Sequence, residues 1–298
     1  MKTISLIQPP SKEFIELALE KYGLSLENMK GQSHPQEDFL LVSEKYPIFV
    51  VADGVTLIQY LIEKKEYPVP SPAGEIARIF CEALVRAAEA KYETWKDSDI
   101  QEVFKIANEA AGEYNRQQGR TKETVDYWDN DFYAATAAFV VIKDGVAHWG
   151  SICDSYVIHI GGKGELILKS PACHSKREVE ALQFTGDSSD EKARAQFFWE
   201  VRRNGINNEG QLNGYGVVTG EESANRYLNH GSFPAKSGEV ISIITDGFEN
   251  YFQLPEFVAL LNKWPDNMEQ NLGEFIAEKE KADPAKFGYE RSLIAVSI

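Results

Sequence analysis

The sequence has little that would suit a secreted, membrane-spanning or nucleic-acid-binding protein. Its three cysteines are odd in number and form no Cys-x-x-Cys pair, which argues against a disulfide framework or a thiolate zinc site. It has no apolar run near the ~18 residues of a membrane span and no basic, then apolar, leader at its start. Its formal charge of −15 repels nucleic acid and anionic lipid. We therefore expect a cytoplasmic protein that binds neither nucleic acid nor membranes.

The composition is that of one folded domain. With 298 residues, of which 43% are hydrophobic, the chain can bury a full core. No Pro-, Gly- or Ser-rich linker divides its interior. We predict a single domain over residues 1–298, with an N-terminal extension at residues 1–30 and a polar, less regular flap inserted at residues 170–234.

Hydrophobic periodicity predicts an α+β fold. Short continuous apolar runs, some joined by turns such as Asp144-Gly145, indicate strands. These strands are predicted at residues 39–42, 46–52, 137–142, 146–152, 156–160, 165–168, 239–245 and 292–298. Helical periodicity and helix-end signals indicate helices at residues 11–22, 73–95, 99–118, 190–203, 221–229, 254–262 and 272–281. Consecutive hairpins with paired long helices favour antiparallel sheets covered by helices.

Two Asp-Gly pairs follow buried strands without leading into an adjacent strand, namely Asp53-Gly54 and Asp246-Gly247. A strand buried on both faces carries its terminal carboxylate to the edge of the core. An unpaired charge is costly there unless a cation compensates it. The two strand ends could therefore share bound metal ions, although Asp is also common in turns that have no other role.

A further acidic pair, Glu37-Asp38, precedes an apolar run. Adjacent side chains of a strand point to opposite faces, so these two carboxylates cannot both approach one ion directly. One would bind the ion and the other would act through water. Ligation by oxygen alone suits Mg²⁺ or Mn²⁺ better than zinc. The alternative is an exposed acidic pair on the surface.

The order of these motifs resembles that of the PPM family of metal-dependent serine/threonine protein phosphatases (type 2C). The matching segments are Glu37-Asp38, Asp53-Gly54, Ala135-Thr136, Cys153-Asp154-Ser155, Thr245-Asp246-Gly247 and a terminal strand. The resemblance covers roughly residues 31–298. It implies a four-layer α/β-β/α sandwich of two antiparallel sheets flanked by helix pairs, with metal ions in a cleft at one end.

The resemblance also implies roles for single residues. Asp53 would bridge two Mg²⁺ or Mn²⁺ ions, the Gly54 carbonyl would bind one of them, and Asp154 would serve a weaker third ion. The residues expected to carry catalysis are Asp53, Asp246, Glu37 and Asp38, of which Glu37 and Asp246 would complete the metal shell. The implied chemistry is attack on phosphorus by a metal-held hydroxide.

The sequence departs from the family pattern at both ends of the site. Ser33 stands where a phosphate-binding arginine is usual, and a neutral serine cannot replace a guanidinium. Lys30 or His34 is a possible phosphate contact instead. The last ligand position falls on Tyr289, for which Glu290, or less favourably Asp283, is the substitute.

Smaller departures concern the motif interiors. Val55-Thr56 replaces the histidine or methionine and the glycines that often follow Asp-Gly, so the usual proton donor is missing. Cys153 replaces a glycine, a change that should leave Asp154 in place. Cys173-His174 matches a segment that we interpret as a loop anchor.

We predict a hydrolase that acts on phosphoserine and phosphothreonine in phosphoprotein substrates. The departures leave open a pseudophosphatase that keeps the fold as a binding or regulatory module. A hydrolase of small phosphoesters is a third hypothesis, which the flap at residues 170–234 would favour if it closes over the cleft. The oligomeric state is open.

Overall fold

Two antiparallel five-stranded sheets form the centre of the protein. The computed structural model describes residues 1–21, 34–57, 59–60, 63, 65–171, 203–206, 208–212 and 214–298. The strands are β1 Lys2–Gln8, β2 Asp38–Val42, β3 Ile48–Gly54, β4 Ala135–Lys143, β5 Val146–Ile152, β6 Tyr156–Ile160, β7 Leu166–Lys169, β8 Asn229–Pro234, β9 Val240–Ile244 and β10 Arg291–Ser297. One sheet has the order β1-β10-β9-β6-β7 and the other the order β2-β3-β4-β5-β8.

Helices cover the outer face of each sheet. The helices are α1 Lys12–Lys21, α2 Pro72–Lys91, α3 Asp99–Gln117, α4 Pro255–Lys263, α5 Met268–Ala282 and α6 Pro284–Phe287. Helices α2 and α3 pack on the β2–β8 sheet, and α4 and α5 pack on the β1–β7 sheet. A third apolar cluster fills the space between the sheets. The predicted four-layer α/β-β/α sandwich is confirmed.

Local sequence accounts for several of these elements. Residues 48–52 are buried on both faces, as their continuous apolar run indicates. Asp144 and Gly145 adopt φ of 50° and 76°, the left-handed backbone of a tight hairpin turn between β4 and β5. Ser71 caps α2 by accepting hydrogen bonds from the amides of Ala73 and Gly74, and Pro72 follows it at the first helical position.

The predicted N-terminal extension and the predicted flap each contribute a strand to the sandwich. Strand β1, within the predicted N-terminal extension, pairs with β10 along its whole length. Strand β8, within the predicted flap, pairs with β5. The predicted helix at residues 221–229 is a 3₁₀ turn over Glu222–Tyr227. Residues 172–202, which hold most of the predicted helix at residues 190–203, lie outside the described residues.

The sequence predicts no apolar run long enough to span a membrane. Across the described ranges, each helix is too short or too polar to cross a lipid bilayer.

Candidate active site and metal centre

The register of β2 and β3 brings two predicted site residues side by side. Asp38 opens β2 and Asp53 nearly ends β3, and the two are cross-strand partners. The next strand places Thr136 opposite Asp53 and Ala135 opposite Gly54. This end of the sheet is therefore where the sequence motifs converge.

Carboxylates of both sheets surround Asp53. The strongest electrostatic influences on it come from Asp38, Asp246, Asp154 and Glu290, all of them acidic. Burial, and then these like charges, raise the pKa of Asp53 well above its ordinary value. Burial and the Asp154 and Asp38 carboxylates do the same to the pKa of Asp246. The site therefore concentrates negative charge that favours either protons or a cation.

Thr245 links the two sheets at this point. Its hydroxyl donates to Asp38 Oδ2 at 2.8 Å and accepts from the Ser292 amide at 2.8 Å. Burial raises the pKa of Asp38 to about 6, although hydrogen bonds from Ser292 and Thr245 partly oppose this. Thr245 stands beside Asp246 in the sequence motif, but its bond to Asp38 crosses from one sheet to the other. Sequence reasoning therefore missed its role.

The structure separates the candidates for the last ligand position. Tyr289 stacks on Phe14 of α1, with ring centres 4.2 Å apart. Asp283 caps α6 by accepting from the Lys286 amide at 3.2 Å. Of the two acidic candidates, it is Glu290 whose carboxylate lies next to Asp38.

Glu290 also ties the C-terminal strand to the start of β2. Its Oε1 accepts hydrogen bonds from the amides of Glu37 at 2.5 Å and Asp38 at 2.6 Å, and from the Gln36 side chain. Burial and the nearby Asp38 charge raise the pKa of Glu290 to about 8 despite these donors. Glu290 therefore joins residues far apart in the chain while contributing charge to the site.

The Glu37 carboxylate points away from Asp38, into a separate set of hydrogen-bond donors. It accepts from the Tyr67 hydroxyl at 2.8 Å, from the Thr56 hydroxyl at 3.0 Å and from Ser71, the cap of α2. His34 Nε2 lies 3.6 Å from it. The alternation predicted for Glu37 and Asp38 is thus present, with Asp38 on the side of the other acidic residues. Tyr67 had no recognisable signal in the sequence, and Ser71 had one only as a helix cap followed by Pro72.

Two motif glycines are required by close backbone approach. A Cβ on Gly54 would lie 2.5 Å from the carbonyl of Ala73, because the first turn of α2 packs directly on it. A Cβ on Gly247 would overlap the carbonyl of Glu290. These glycines allow α2 and the C-terminal segment to approach the acidic group, which consists of Asp38, Asp53, Asp154, Asp246 and Glu290.

Asp154 lies in the turn between β5 and β6, next to Cys153. Cys153 is buried and has a φ of 64°, a left-handed backbone that suits glycine better. The Asp154 Oδ1 atom is buried and has no hydrogen-bond partner in the described part of the chain. The Cys153 replacement therefore leaves Asp154 beside Asp53 and Asp246, as expected.

Other predicted contacts fall beyond the site or beyond the described residues. His34 packs against Tyr67, with ring centres 4.8 Å apart, and its Nδ1 lies 3.0 Å from the Pro35 carbonyl. Lys30, Ser33 and Cys173-His174 lie outside the described residues.

The acidic group fits a divalent cation in donor chemistry. It offers carboxylate oxygens, of which one on Asp154 lacks a partner, and such oxygens are the ligands of Mg²⁺ and Mn²⁺. Within the described ranges, no three His, Cys, Asp or Glu side chains are spaced to hold one ion between them. The residues therefore match an ion in charge and atom type, and side-chain movement would be needed to close around it.

Similarity to known proteins extends over most of the chain. The family model for protein phosphatase 2C matches residues 29–276. A search of curated proteins by sequence found no match.

Solved structures of phosphatases share the fold over nearly the whole chain. The Mycobacterium tuberculosis serine/threonine phosphatase PstP/Ppp has a TM-score of 0.57 and 12% identity, covering 99% of this chain and 97% of that chain. The PstP catalytic domain in complex with two manganese ions has a TM-score of 0.55 and 12% identity, covering 99% and 96%. The photosystem II phosphatase PBCP has a TM-score of 0.56 and 11% identity, covering 100% and 98%. Because the family model matches far more than half of its residues, this chain belongs to the protein phosphatase 2C family.

Proposed function

We propose that this protein hydrolyses phosphoserine and phosphothreonine esters in phosphoproteins with the help of Mg²⁺ or Mn²⁺. The observation that carries the proposal is the meeting of Asp38, Asp53, Asp154, Asp246 and Glu290 at one end of the sandwich. Family membership and the manganese complex of PstP support the same choice. Two ions, rather than one, belong to the proposal.

Asp53 and Asp246 are the proposed direct ligands, with the Gly54 carbonyl beside them. A bound divalent ion would supply a hydroxide nucleophile near neutral pH and would stabilise charge on the phosphoryl group. Thr245 holds the Asp38 carboxylate in place and leaves it directed at the acidic group. The Asp38 carboxylate would accept a proton from water held near Asp53.

Glu290 is the proposed substitute for the missing final ligand, since its carboxylate lies beside Asp38. Glu37 was predicted as a ligand, and its carboxylate would have to leave the hydroxyls of Tyr67, Ser71 and Thr56 to reach an ion. The Asp154 oxygen without a partner suits the weaker third ion.

The second candidate is a binding module that keeps the phosphatase fold. Two observations favour it, namely the spacing of the described carboxylates and the engagement of Glu37 by three hydroxyls. In this case the acidic group would hold protons or a single weakly bound ion, and no phosphoester would be turned over.

The first test is hydrolysis of p-nitrophenyl phosphate with Mn²⁺, with Mg²⁺ and with chelator. We expect metal-dependent activity in the wild type that falls at least about 100-fold, or about 2.7 kcal/mol, in Asp53→Asn and Asp246→Asn. Asp144→Asn is the matched control, because Asp144 also precedes a glycine but lies on an exposed hairpin turn. Wild-type activity no higher than that of Asp53→Asn, with no metal binding by calorimetry, would favour the binding module.

A further comparison addresses the substrate. Activity on a phosphoserine peptide well above that on small phosphorylated metabolites would support a protein substrate. The reverse order would favour the hydrolase of small phosphoesters.

A further inference from the structure

A cavity of about 440 Å³ lies at the C-terminal end of α3. Its wall includes Arg120 and the segment that begins at Thr219. Val218, next to Thr219, exchanges two backbone hydrogen bonds with Ala135, and Ala135 pairs with Gly54. Because neighbouring strands lie about 4.8 Å apart, Val218 is about 10 Å from Gly54. The cavity is therefore within reach of a peptide bound at Asp53.

Arg120 is a buried cation on the wall of this cavity, and it forms no ion pair with any acidic side chain of the described residues. It is 7% exposed, and it donates to the Asp131 carbonyl and to the Tyr133 hydroxyl at 2.9 Å. Its guanidinium carbon lies 3.8 Å from the centre of the Tyr133 ring. Its Nε has no hydrogen-bond partner, and the ion pairs of the described residues do not include it.

The other two buried arginines of the described residues show what is missing at Arg120. Arg203 pairs with the Asp131 carboxylate at 2.7 Å, and Arg291 pairs with Glu280. A buried charge without a counter-charge destabilises the folded state, and a bound anion would remove that cost. Arg120, which forms no such ion pair among the described residues, lies on the wall of an open cavity.

The mouth of the cavity adds further groups suited to an anion. Lys122 is exposed there, and the Thr121 hydroxyl and the Lys122 charge both lower the pKa of the neighbouring Glu123. The Ser223 side chain supplies a further hydroxyl group. Arginine, lysine and hydroxyl groups together are typical of sites for phosphate or carboxylate.

The acidic residues on the wall offset part of this positive charge. The Glu221 carboxylate is engaged by the Thr219 hydroxyl at 2.9 Å and by the Asn204 amide at 2.8 Å. Glu222 is exposed at the surface. Arg116, also on the wall, is already paired with Glu113 at 2.8 Å. Within the described residues Arg120 and Lys122 form no ion pair, while the exposed carboxylates of Glu222 and of Glu123, next to Lys122, offset part of their charge, in a chain of net charge −15.

We propose that this cavity binds an acidic group of the phosphoprotein substrate, a carboxylate or a second phosphate, flanking the residue that is dephosphorylated. The proposal rests on the proposed function. An extended peptide advances about 3.4 Å per residue, so a cavity whose wall begins next to Val218, about 10 Å from Gly54, is reached roughly three residues away or slightly farther. Arg120 and Lys122 would thus select substrates that carry an acidic residue at this distance.

The first experiment measures anion binding without catalysis. Binding of inorganic phosphate to the chelator-treated protein is followed by calorimetry, so that no metal-held phosphate contributes. We expect Lys122→Glu and Ser223→Glu to weaken binding at least fivefold. Lys105→Glu, an equal charge change on the exposed surface of α3, should leave it unchanged.

Arg120→Gln is the stronger variant, and its folding is checked by circular dichroism. If it does not fold, Lys122→Glu and Ser223→Glu decide the question. A wild type that does not bind phosphate, or binding that survives all the folded cavity variants, would overturn the proposal.

The second experiment compares two phosphoserine peptides that differ only in Glu or Gln three residues from the phosphoserine, on either side. We expect the ratio of kcat/KM for the Glu peptide to that for the Gln peptide to fall about fivefold in Lys122→Glu. Lys105→Glu should keep the wild-type ratio. An unchanged ratio in Lys122→Glu would mean that any bound phosphate is a free ion rather than part of the substrate. If no peptide is hydrolysed, the proposed function fails, while the binding experiment still decides whether the cavity takes an anion.

Discussion

Glu37 and Asp38 are adjacent in the chain, yet their carboxylates belong to different hydrogen-bond networks. Asp38 joins the acidic group through Thr245, and Glu37 joins the start of α2 through Ser71 and Tyr67. The alternation of side chains along a strand is the reason. A residue can thus match a ligand motif in sequence while its side chain stabilises the neighbouring helix.

The Tyr67 hydroxyl provides a test of this network, because it donates to Glu37 and accepts from the Leu57 amide at 2.9 Å. Tyr67→Phe would leave a buried amide without an acceptor and the carboxylate with one donor fewer. We expect the free energy of unfolding, measured by urea denaturation in chelator, to fall by about 2 kcal/mol.

Tyr60→Phe is the control for that change, because Tyr60 is half-buried nearby, with its ring 5.9 Å from that of Tyr67. We expect it to alter stability by less than about 0.5 kcal/mol. Equal stability of Tyr67→Phe and wild type would show that Glu37 does not depend on this network in solution.

At the scale of elements, close approach between segments decides where glycine is required. Gly220 has a φ of 90°, and a Cβ on it would overlap the backbone of Gly112 in α3. Gly273, in the middle of α5, has nothing within 4 Å of the position of a Cβ. The two positions differ in tertiary contact rather than in any local sequence signal.

Replacing each glycine by alanine should therefore change stability in opposite directions. Gly273→Ala should raise the free energy of unfolding by about 0.5–1 kcal/mol, because alanine is the better helix former. Gly220→Ala should lower it by more than about 2 kcal/mol, through steric overlap and backbone strain. Urea denaturation of both variants checks the signs, and a stable Gly220→Ala would contradict the packing of α3 on this segment.

The whole molecule places carboxylates from two sheets together before any cation is bound. Burial raises the pKa of Asp38 to about 6 and that of Glu290 to about 8, and it raises those of Asp53 and Asp246 as well. A carboxyl group whose pKa is higher in the folded state stabilises that state fully below its unfolded pKa. This stabilisation is lost as pH rises through the folded pKa.

We therefore expect the metal-free protein to lose stability as pH rises from about 4 to 8. Chemical denaturation in chelator across this range measures the slope. Saturating Mn²⁺ should weaken or reverse it, because the ion replaces protons as the counter-charge. Asp53→Asn in chelator should reduce the slope, and an equal slope in that variant would show that the acidic group does not govern the pH dependence.

The strand ends that carry Asp53 and Asp246 were predictable from the sequence, because a continuous apolar run followed by Asp-Gly is a local pattern. The turn at Asp144-Gly145 and the apolar faces of α2 and α3 are local in the same way. The four-layer sandwich and the shared metal site were predictable only through the resemblance of the motif order to the PPM family.

Which neighbours these residues contact depends on the tertiary structure and could not be predicted locally. Strand β1 forms the edge of its sheet because it pairs with β10, which lies at the other end of the chain. Glu290, rather than Tyr289 or Asp283, faces Asp38, because the final segment packs its tyrosine against Phe14. Arg120 likewise donates to the Asp131 carbonyl, whereas the Asp131 carboxylate pairs with Arg203. Such contacts depend on register and packing between distant segments, which no local propensity encodes.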